Sequence, residues 1–267
     1  MNESLFNRAR LCLLEPGVEA TLALTEETVT RIRSTGSINL EDDATVDVDL
    51  EPVFPRRPQR VDPGRLPRRG TGTVNGRAAL IHAIAHIEYN AVHLAWDAIY
   101  RFRDLPAAFY LDWMNIALEE CRHFRLLQRR LTDYGYEYGD FAAHDGLWQV
   151  ARNTRHDPLL RMALVPRVLE ARGLDVTPGM IRGLEAANDP ETAAILRIIY
   201  NEEIGHVETG TRWFRYLCEQ QGCKPETEFF RLVTIHYGDG PRGPYNEDAR
   251  LKAGFSLSEL EWLKSHG

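Results

Sequence analysis

The sequence predicts an all-α protein built around a bundle of four long helices. Apolar residues recur at helical spacing through long stretches without glycine or proline, the clearest being 77–103. Strand signals are sparse along the whole chain. The pairs Asp157-Pro158 and Asp189-Pro190 open further helical stretches, because proline suits the first helical position. We therefore expect the long helices to pair as two hairpins.

The helical stretches divide the chain into three expected segments: 1–76, the bundle at 77–221, and a C-terminal helical extension at 222–267. The first segment has one or two helices within 4–36, interrupted at Pro16-Gly17. The remaining helices are expected at 77–103, 106–134, 147–153, 158–173, 178–187, 190–221, 225–236 and 258–265. The connection 135–157 is long enough to cross the bundle and make its second and third helices parallel.

Composition indicates an ordinary globular protein. Of 267 residues, 43% are hydrophobic and 27% are charged, and the net charge of -7 argues against a dedicated nucleic-acid binder. No apolar run approaches the roughly 20 residues of a membrane span, so we expect no membrane association. The N-terminus lacks a signal-peptide pattern, and the four cysteines form no CxxC motif. Reduced thiols in the cytoplasm are expected.

Two polar segments have open roles. Residues 56–69, here called the strap, contain six arginines, and their prolines forbid a helix. The strap either touches RNA or an acidic partner, or packs on the body as a solvated segment. Residues 236–255, here called the polar tail, are rich in turns. The polar tail either covers the site as a lid or braces the bundle.

Two copies of Glu-x-x-His carry the chemistry. They stand in EECRHF at 119–124 and NEEIGH at 201–206, as Glu120 with His123 and Glu203 with His206. Residues i and i+3 share a helix face, so each pair projects both groups together. Both pairs lie within apolar stripes, which distinguishes them from pairs on solvated helix faces.

Two single glutamates complete a candidate metal site. Glu88 lies in an apolar stripe of the first bundle helix, and Glu170 has a comparable setting near Pro166. Buried carboxylates are tolerated when cations neutralise them, and two divalent ions balance four glutamates. Glu170 is the least secure ligand because Pro166 and Gly173 make its helix irregular.

Spacing from the turns supports this set. Glu88 lies about 16 residues before the turn at 104–105, and Glu120 lies about 16 after it. Equal distances from a hairpin turn mean equal height. Glu170 and Glu203 are roughly symmetric about the break at 188–189 in the same way.

The order Glu, Glu-x-x-His, Glu, Glu-x-x-His resembles the ferritin-like di-iron carboxylate superfamily, with spacings similar to bacterioferritin-type and rubrerythrin-type bundles. Stretches such as RMALVPRVLEARGLDVTPGM and GPRGPYNEDARLKAGFS resemble a bacterial ferritin-like family of unknown function. The di-iron hydroxylases that modify tRNA are more distantly similar. The resemblance implies a ferritin-like four-helix bundle with two metal ions, iron first and manganese second.

Several neighbouring residues are secondary candidates. Tyr200, one turn before Glu203, is the candidate catalytic residue, as a redox or hydrogen-bonding group, with core packing as the alternative. Glu119 and Glu202 are rival ligands that lie off the apolar stripes. Three histidines of the first bundle helix point away from Glu88 and either line a surface or contact the strap; they are His82, His86 and His93.

The expected function is a dinuclear metal oxidoreductase that activates oxygen or peroxide, such as a hydroxylase. Its partners would be a small-molecule or modified-nucleoside substrate, an electron donor, and a second copy in a homodimer. No organic cofactor is indicated. The alternatives are an iron-storage or ferroxidase protein, and a non-catalytic metal-binding scaffold.

Overall fold

A computed structural model of the protein describes residues 3–41, 44–66, 69–238 and 241–267. Over these residues it is helical and has no β-strand, which confirms the all-α prediction. The chain divides into two compact units, Met1–Gln149 and Val150–Gly267, and each is described by itself. Within the described residues, no helix combines the length and apolar character that crossing a bilayer demands. The expected segment boundaries at 76/77 and 221/222 stay predictions.

The first unit contains four helices and the start of a fifth. They are α1 (Leu5–Leu14), α2 (Val18–Thr35), α3 (Val74–Arg101), α4 (Ala107–Asp133) and α5 (Gly146–Asn153), whose last residues belong to the second unit. The expected interruption at Pro16-Gly17 is confirmed. Gly36 ends α2 with a φ of 62°, a left-handed conformation that glycine adopts without strain.

Helix α3 is the core of the first unit. The Thr73 Oγ1 atom caps its start by accepting a hydrogen bond from the Gly76 amide at 3.0 Å. Most of its residues are buried, and both α1 and α4 pack against it. Tyr110 closes the α3–α4 turn by donating its hydroxyl hydrogen to the Phe102 carbonyl at 3.1 Å. The hairpin therefore has the regular geometry that equal ligand heights require.

The strap is extended, as its prolines predict, apart from a 3₁₀ turn at Pro63–Arg65. The Val61 amide donates to the Ala143 carbonyl at 2.8 Å, and the Ala143 amide donates to Gln59 at 3.0 Å. These bonds fix the strap on the body of the first unit. Pro67 and Arg68 lie outside the described residues.

The second unit begins with an irregular helical run and ends with three helices after α8. Its elements are α6 (Pro158–Leu164), a π-helical segment (Val165–Glu170), α7 (Ala171–Ala186), α8 (Pro190–Gln221), α9 (Pro225–Tyr237), α10 (Glu247–Lys252) and α11 (Leu257–His266). Ser256 and Glu259 form a capping box at the start of α11, as a Ser-x-x-Glu sequence before a helix predicts. Helix α10 was not expected from the sequence.

The predicted helix end at Gly173 and restart at Pro178 are wrong. Helix α7 runs through both residues, with Pro178 in its interior. Proline lacks the amide hydrogen that would bond the carbonyl four residues earlier, here that of Leu174. The Asn246 side-chain amide donates to the Leu174 carbonyl at 3.1 Å and replaces the missing bond. A contact distant in sequence therefore keeps the helix intact.

The polar tail braces α7. Two nitrogens of the Arg250 guanidinium donate to the two Asp175 carboxylate oxygens at 2.9 and 2.8 Å, and both side chains are fully buried. The Asn246 backbone amide also donates to Asp175, at 2.9 Å. Asp239 and Gly240, also in the tail, lie outside the described residues. Of the two expected roles, the contacts within the second unit match the brace.

Candidate metal centre

The first unit brings three predicted ligands together. The Nδ1 atom of His123 on α4 lies 3.0 Å from Oε2 of Glu88 on α3 and 3.4 Å from Oε2 of Glu120. One ligand atom from each of the three lies within 4.8 Å of the others. Their exposed fractions are only 4%, 1% and 0% for Glu88, Glu120 and His123. This buried carboxylate–imidazole cluster could hold a metal ion, since its donor atoms suit iron or manganese.

The two carboxylates of this cluster raise the pKa of His123. Burial lowers the imidazole pKa, but hydrogen bonds and attraction from Glu120 and Glu88 outweigh burial and raise it to about 11. Without a metal ion, His123 is therefore protonated at neutral pH and offsets part of the carboxylate charge. A metal ion coordinated by the neutral imidazole would replace that proton.

An aromatic residue follows two of the ligands in the sequence. Tyr89 follows Glu88, Phe124 follows His123, and their ring centroids lie 5.5 Å apart. Burial raises the pKa of Tyr89 to about 12, so this phenol stays neutral. Because neighbouring residues of an α-helix differ in direction by about 100°, these rings pack on a different face of the two helices from the ligands.

The three other histidines of α3 are buried, so the expectation that they line a surface is wrong. They are His82, His86 and His93, and burial is the main cause that lowers the pKa of each to about 4. Each ring has a hydrogen-bond partner: His82 Nε2 accepts from the Gly139 amide at 2.9 Å, His86 Nδ1 lies 2.8 Å from the Tyr138 hydroxyl, and His93 Nδ1 lies 2.9 Å from the Tyr89 carbonyl oxygen.

The alternative expectation, a contact between these histidines and the strap, stays a prediction. The His93 ring packs on Phe54, just before the strap, with centroids 4.9 Å apart. Burial keeps all three rings neutral, and their observed partners are backbone groups and aromatic side chains. Their role within the first unit is therefore packing.

The second unit carries the other three predicted ligands. On α8, the Nδ1 atom of His206 lies 3.2 Å from Oε1 of Glu203, as the i,i+3 spacing predicts. The His206 side chain is 2% exposed and that of Glu203 is 14% exposed. Glu170 is the last residue of the π-helical segment, and its Oε2 atom is buried. Single π-helical turns within α-helices occur often at functional sites.

A close approach of two elements fixes this segment beside α8. Gly210 on α8 faces Pro166, and a Cβ at position 210 would overlap the proline ring. Gly210 lies one turn after His206, so the proline packs next to a ligand-bearing turn. In the sequence, Gly210 is only a glycine within an apolar helical stripe. The structure shows why a glycine stands there, because Pro166 packs against this position.

The secondary candidates beside the Glu-x-x-His motifs are intermediate in exposure, as are Glu170 and Glu203, whereas the other four predicted ligands are buried. The partial exposure of Glu119 and Glu202 fits their predicted position off the apolar stripes. The Tyr200 hydroxyl oxygen accepts a hydrogen bond from the Asn246 side-chain amide at 2.8 Å. Asn246 is a residue that sequence reasoning grouped with the tail and did not connect with Tyr200. A catalytic role of Tyr200 stays a prediction.

The fold and the cluster define the class: an all-α protein with buried carboxylate and imidazole groups able to hold a metal ion. The chain belongs to the DUF455 family, a protein family of unknown function whose model matches residues 14–261. It is similar to an uncharacterized protein of Haemophilus influenzae (strain ATCC 51907 / DSM 11121 / KW20 / Rd), with 44% identity over 234 residues, 85% of this chain and 81% of the relative. No solved structure matches the chain.

Proposed function

We propose that the protein is a dinuclear metal oxidoreductase of the ferritin-like type, which activates oxygen or peroxide. The carrying observation is the cluster of Glu88, Glu120 and His123, whose two carboxylates are buried beside an imidazole. Burying a carboxylate costs several kcal/mol unless a cation neutralises it. The His123 proton supplies one positive charge, and a divalent metal ion would supply two.

The second part of the proposal is that both Glu-x-x-His motifs serve one centre with two ions. The second unit repeats the ligand types of the first, with Glu170, Glu203 and His206 in place of the three residues named above. Four carboxylates and two neutral imidazoles match the charge of two divalent ions. Iron is the first choice and manganese the second, because oxygen-rich sites with imidazole suit both.

Bound metal would supply oxygen or peroxide activation, and the protein would supply the surroundings. The four glutamates would hold the ions, while His123 and His206 would each fix one of them. The burial of Glu88, Glu120 and His123 keeps water away from the first-unit ligands. A small molecule or a modified nucleoside is the proposed substrate class, and a separate electron donor is required. We propose a homodimer as the assembly.

The test is metal content combined with reactivity. The protein is produced with added iron and purified without chelator, and metal per chain is measured by elemental analysis. Wild type is expected to hold close to two ions, and Glu88→Gln/Glu120→Gln is expected to weaken metal affinity by at least about 100-fold, since even residues outside the ligand shell change it 10–100-fold. Glu119→Gln is the comparison variant for the rival ligand: the proposal expects it to leave metal affinity unchanged, because this half-buried residue lies off the apolar stripe.

Oxygen added to the reduced, iron-loaded protein should change its optical spectrum, and the double variant should show no such change. Wild-type protein without bound metal would remove the premise of the proposal. A 24-subunit shell in size-exclusion chromatography would instead support iron storage, the second candidate. If Glu120→Gln/Glu203→Gln left the cellular role intact, a non-catalytic scaffold would be the better description.

A further inference from the structure

The strap concentrates positive charge in a chain with a net charge of -7. Residues 56–69 contain six arginines, no lysine and a single acidic residue, Asp62. Among the described members, the side chains of Arg57 and Arg65 are 71% and 79% exposed. Arg56, Arg60 and Arg69 are also exposed. Positive charge is therefore concentrated along one short segment instead of being spread over the surface.

The strap is held in place rather than left as a free chain. Backbone hydrogen bonds at Gln59 and Val61 join it to Ala143 on both sides of Arg60. The Arg60 guanidinium lies over the Phe54 ring, 5.4 Å from its centroid. The arginines therefore project from a fixed backbone, which lowers the entropy cost of holding a ligand.

A pocket opens on this segment. Its volume is about 350 Å³, within the usual range of small-molecule sites, and its lining combines cations with hydrogen-bond acceptors. Arg60 and Arg65 supply the positive charge, and Asp62, Asp145 and the Gln59 amide supply acceptors. Arg65 and Asp62 form an exposed ion pair at 3.7 Å, which is weak enough for a bound anion to compete with.

The mixed lining distinguishes between anionic partners. The ionised side chains of a peptide rich in Asp and Glu offer acceptors only, so Asp62 and Asp145 would repel them. A nucleotide offers a phosphate for the arginines and, on its base, N–H donors for carboxylates. Arginine also binds phosphate through two parallel hydrogen bonds and stacks on base faces.

We propose that the strap is a binding site for single-stranded nucleic acid. One nucleotide occupies the pocket at Arg60 and Arg65, with its base edge toward Asp62, and neighbouring phosphates lie on Arg56 and Arg57. The metal centre plays no part in this proposal, so either can fail without the other. The overall negative charge weakens binding to duplexes and long polymers but leaves a local contact of a few nucleotides.

The test is fluorescence anisotropy with a labelled 12-nucleotide single-stranded RNA of mixed sequence, in about 50 mM salt. Arg60→Gln/Arg65→Gln is expected to weaken binding about tenfold or more and to reduce the salt slope by about 0.7, since the two arginines share one phosphate and each single-strand phosphate contact contributes about 0.7. Arg10→Gln/Arg129→Gln is the matched control: it removes the same charge from exposed positions outside the strap and should change binding little.

A third variant separates base recognition from charge. Asp62→Asn removes a negative charge, so simple attraction predicts tighter binding to every strand. The proposal predicts a reduced preference for oligo(C) over oligo(U), because only cytosine has an exocyclic amine for Asp62.

Three results would overturn the proposal. One is no detectable RNA binding at the lowest salt, and another is equal binding losses in the two double variants. The third is an oligoglutamate peptide of equal charge that competes as well as RNA, which would identify an acidic protein as the partner. Circular dichroism and metal content, unchanged in all variants, verify that the fold is intact.

Discussion

Each unit carries its Glu-x-x-His motif on a long uninterrupted helix, α4 or α8, but the elements that carry the single glutamates Glu88 and Glu170 differ greatly in regularity. In the first unit, α3 and α4 are uninterrupted, and their turn and caps lie within a few residues of the predicted positions. In the second, the run from Pro158 to Ala186 consists of an α-helix, a π-helical segment and another α-helix, with Pro166 and Pro178 inside it. Similar ligand chemistry is thus supported by different kinds of structure.

The difference lies in where the support comes from. The first-unit ligands depend on a hairpin whose contacts are close in sequence, so the cluster forms wherever that hairpin forms. The helix that carries Glu170 depends on distant groups: Asn246 replaces a missing backbone bond, and Arg250 pairs with Asp175. The Arg167 guanidinium, on the π-helical segment, is held by Glu259 at 2.7 Å. The polar tail and α11 therefore support the helical run that carries Glu170.

The largest predicted effect is at the buried ion pair of the tail. Arg250→Met leaves the Asp175 carboxylate buried without its guanidinium, and breaking such a pair costs about 3–5 kcal/mol. The free energy of unfolding from urea titration should fall by that amount. Hydrogen exchange should accelerate in α7 more than in α3 and α4, which would place the loss in the second unit.

The matched control uses another partner of the same carboxylate. Arg172 lies 3.6 Å from Asp175, but its side chain is 38% exposed, so Arg172→Gln should cost less than about 1 kcal/mol. Similar losses from the two substitutions, or faster exchange in α3 and α4, would show that the tail does not act on α7 specifically.

The sequence predicts the first unit better than the second, because the first unit depends on contacts that are close in sequence and the second on distant ones. The α3–α4 hairpin and its three ligands follow from periodicity, turn residues and spacing, all of which are local signals. The capping box at Ser256 and the start of α8 at Asp189 were also predictable, because a helix cap depends on a few adjacent residues.

The continuity of α7 could not be predicted, because Gly173 and Pro178 are genuine local stop signals. They are overruled by Asn246, which lies 72 residues beyond the carbonyl that it bonds. The burial of His82, His86 and His93 was missed for a similar reason. Their covering residues, such as Tyr138 and Phe54, come from loops whose paths carry no periodic pattern.

The next effect concerns the first-unit cluster in the metal-free protein. The pKa of His123 is about 11 when folded, against an ordinary value of 6.5, so the native state binds one more proton than the unfolded state between these values. The stabilisation is fully present below about pH 6.5 and is lost as the pH rises toward 11. The free energy of unfolding should fall by about 1.4 kcal/mol per pH unit, or close to 2.7 kcal/mol from pH 7.5 to pH 9.5.

The metal-loaded protein supplies the control for this pH dependence. A metal ion replaces the His123 proton, so its unfolding free energy should lack the slope over the same range. The metal-free His123→Gln variant should lack it as well. A metal-free wild type with a flat profile would contradict the protonated state of His123.

A smaller effect is expected from the glycines of α8. Gly210→Ala would push a methyl group into Pro166 and force the π-helical segment away, at a cost of about 1–3 kcal/mol. Gly205→Ala, on the same helix, meets nothing within 4 Å and should stabilise the protein by about 0.5–1 kcal/mol. Thermal unfolding measures both. If Gly210→Ala behaved like Gly205→Ala, the close approach of the two elements would not matter.

The smallest predicted effect is at the capping box of α11. It tests whether second-unit variants lose bound metal only because they are less stable. Ser256→Ala removes the side-chain bond to the Glu259 amide at 3.1 Å, and losing such a cap costs about 1 kcal/mol. Glu259 keeps its bond to Arg167, so the π-helical segment and Glu170 should not move. Ser256→Ala should therefore lower the unfolding temperature yet retain wild-type metal content, whereas Gly210→Ala should lower both. Equal metal loss in the two variants would mean that metal binding reports general stability and not the position of Glu170.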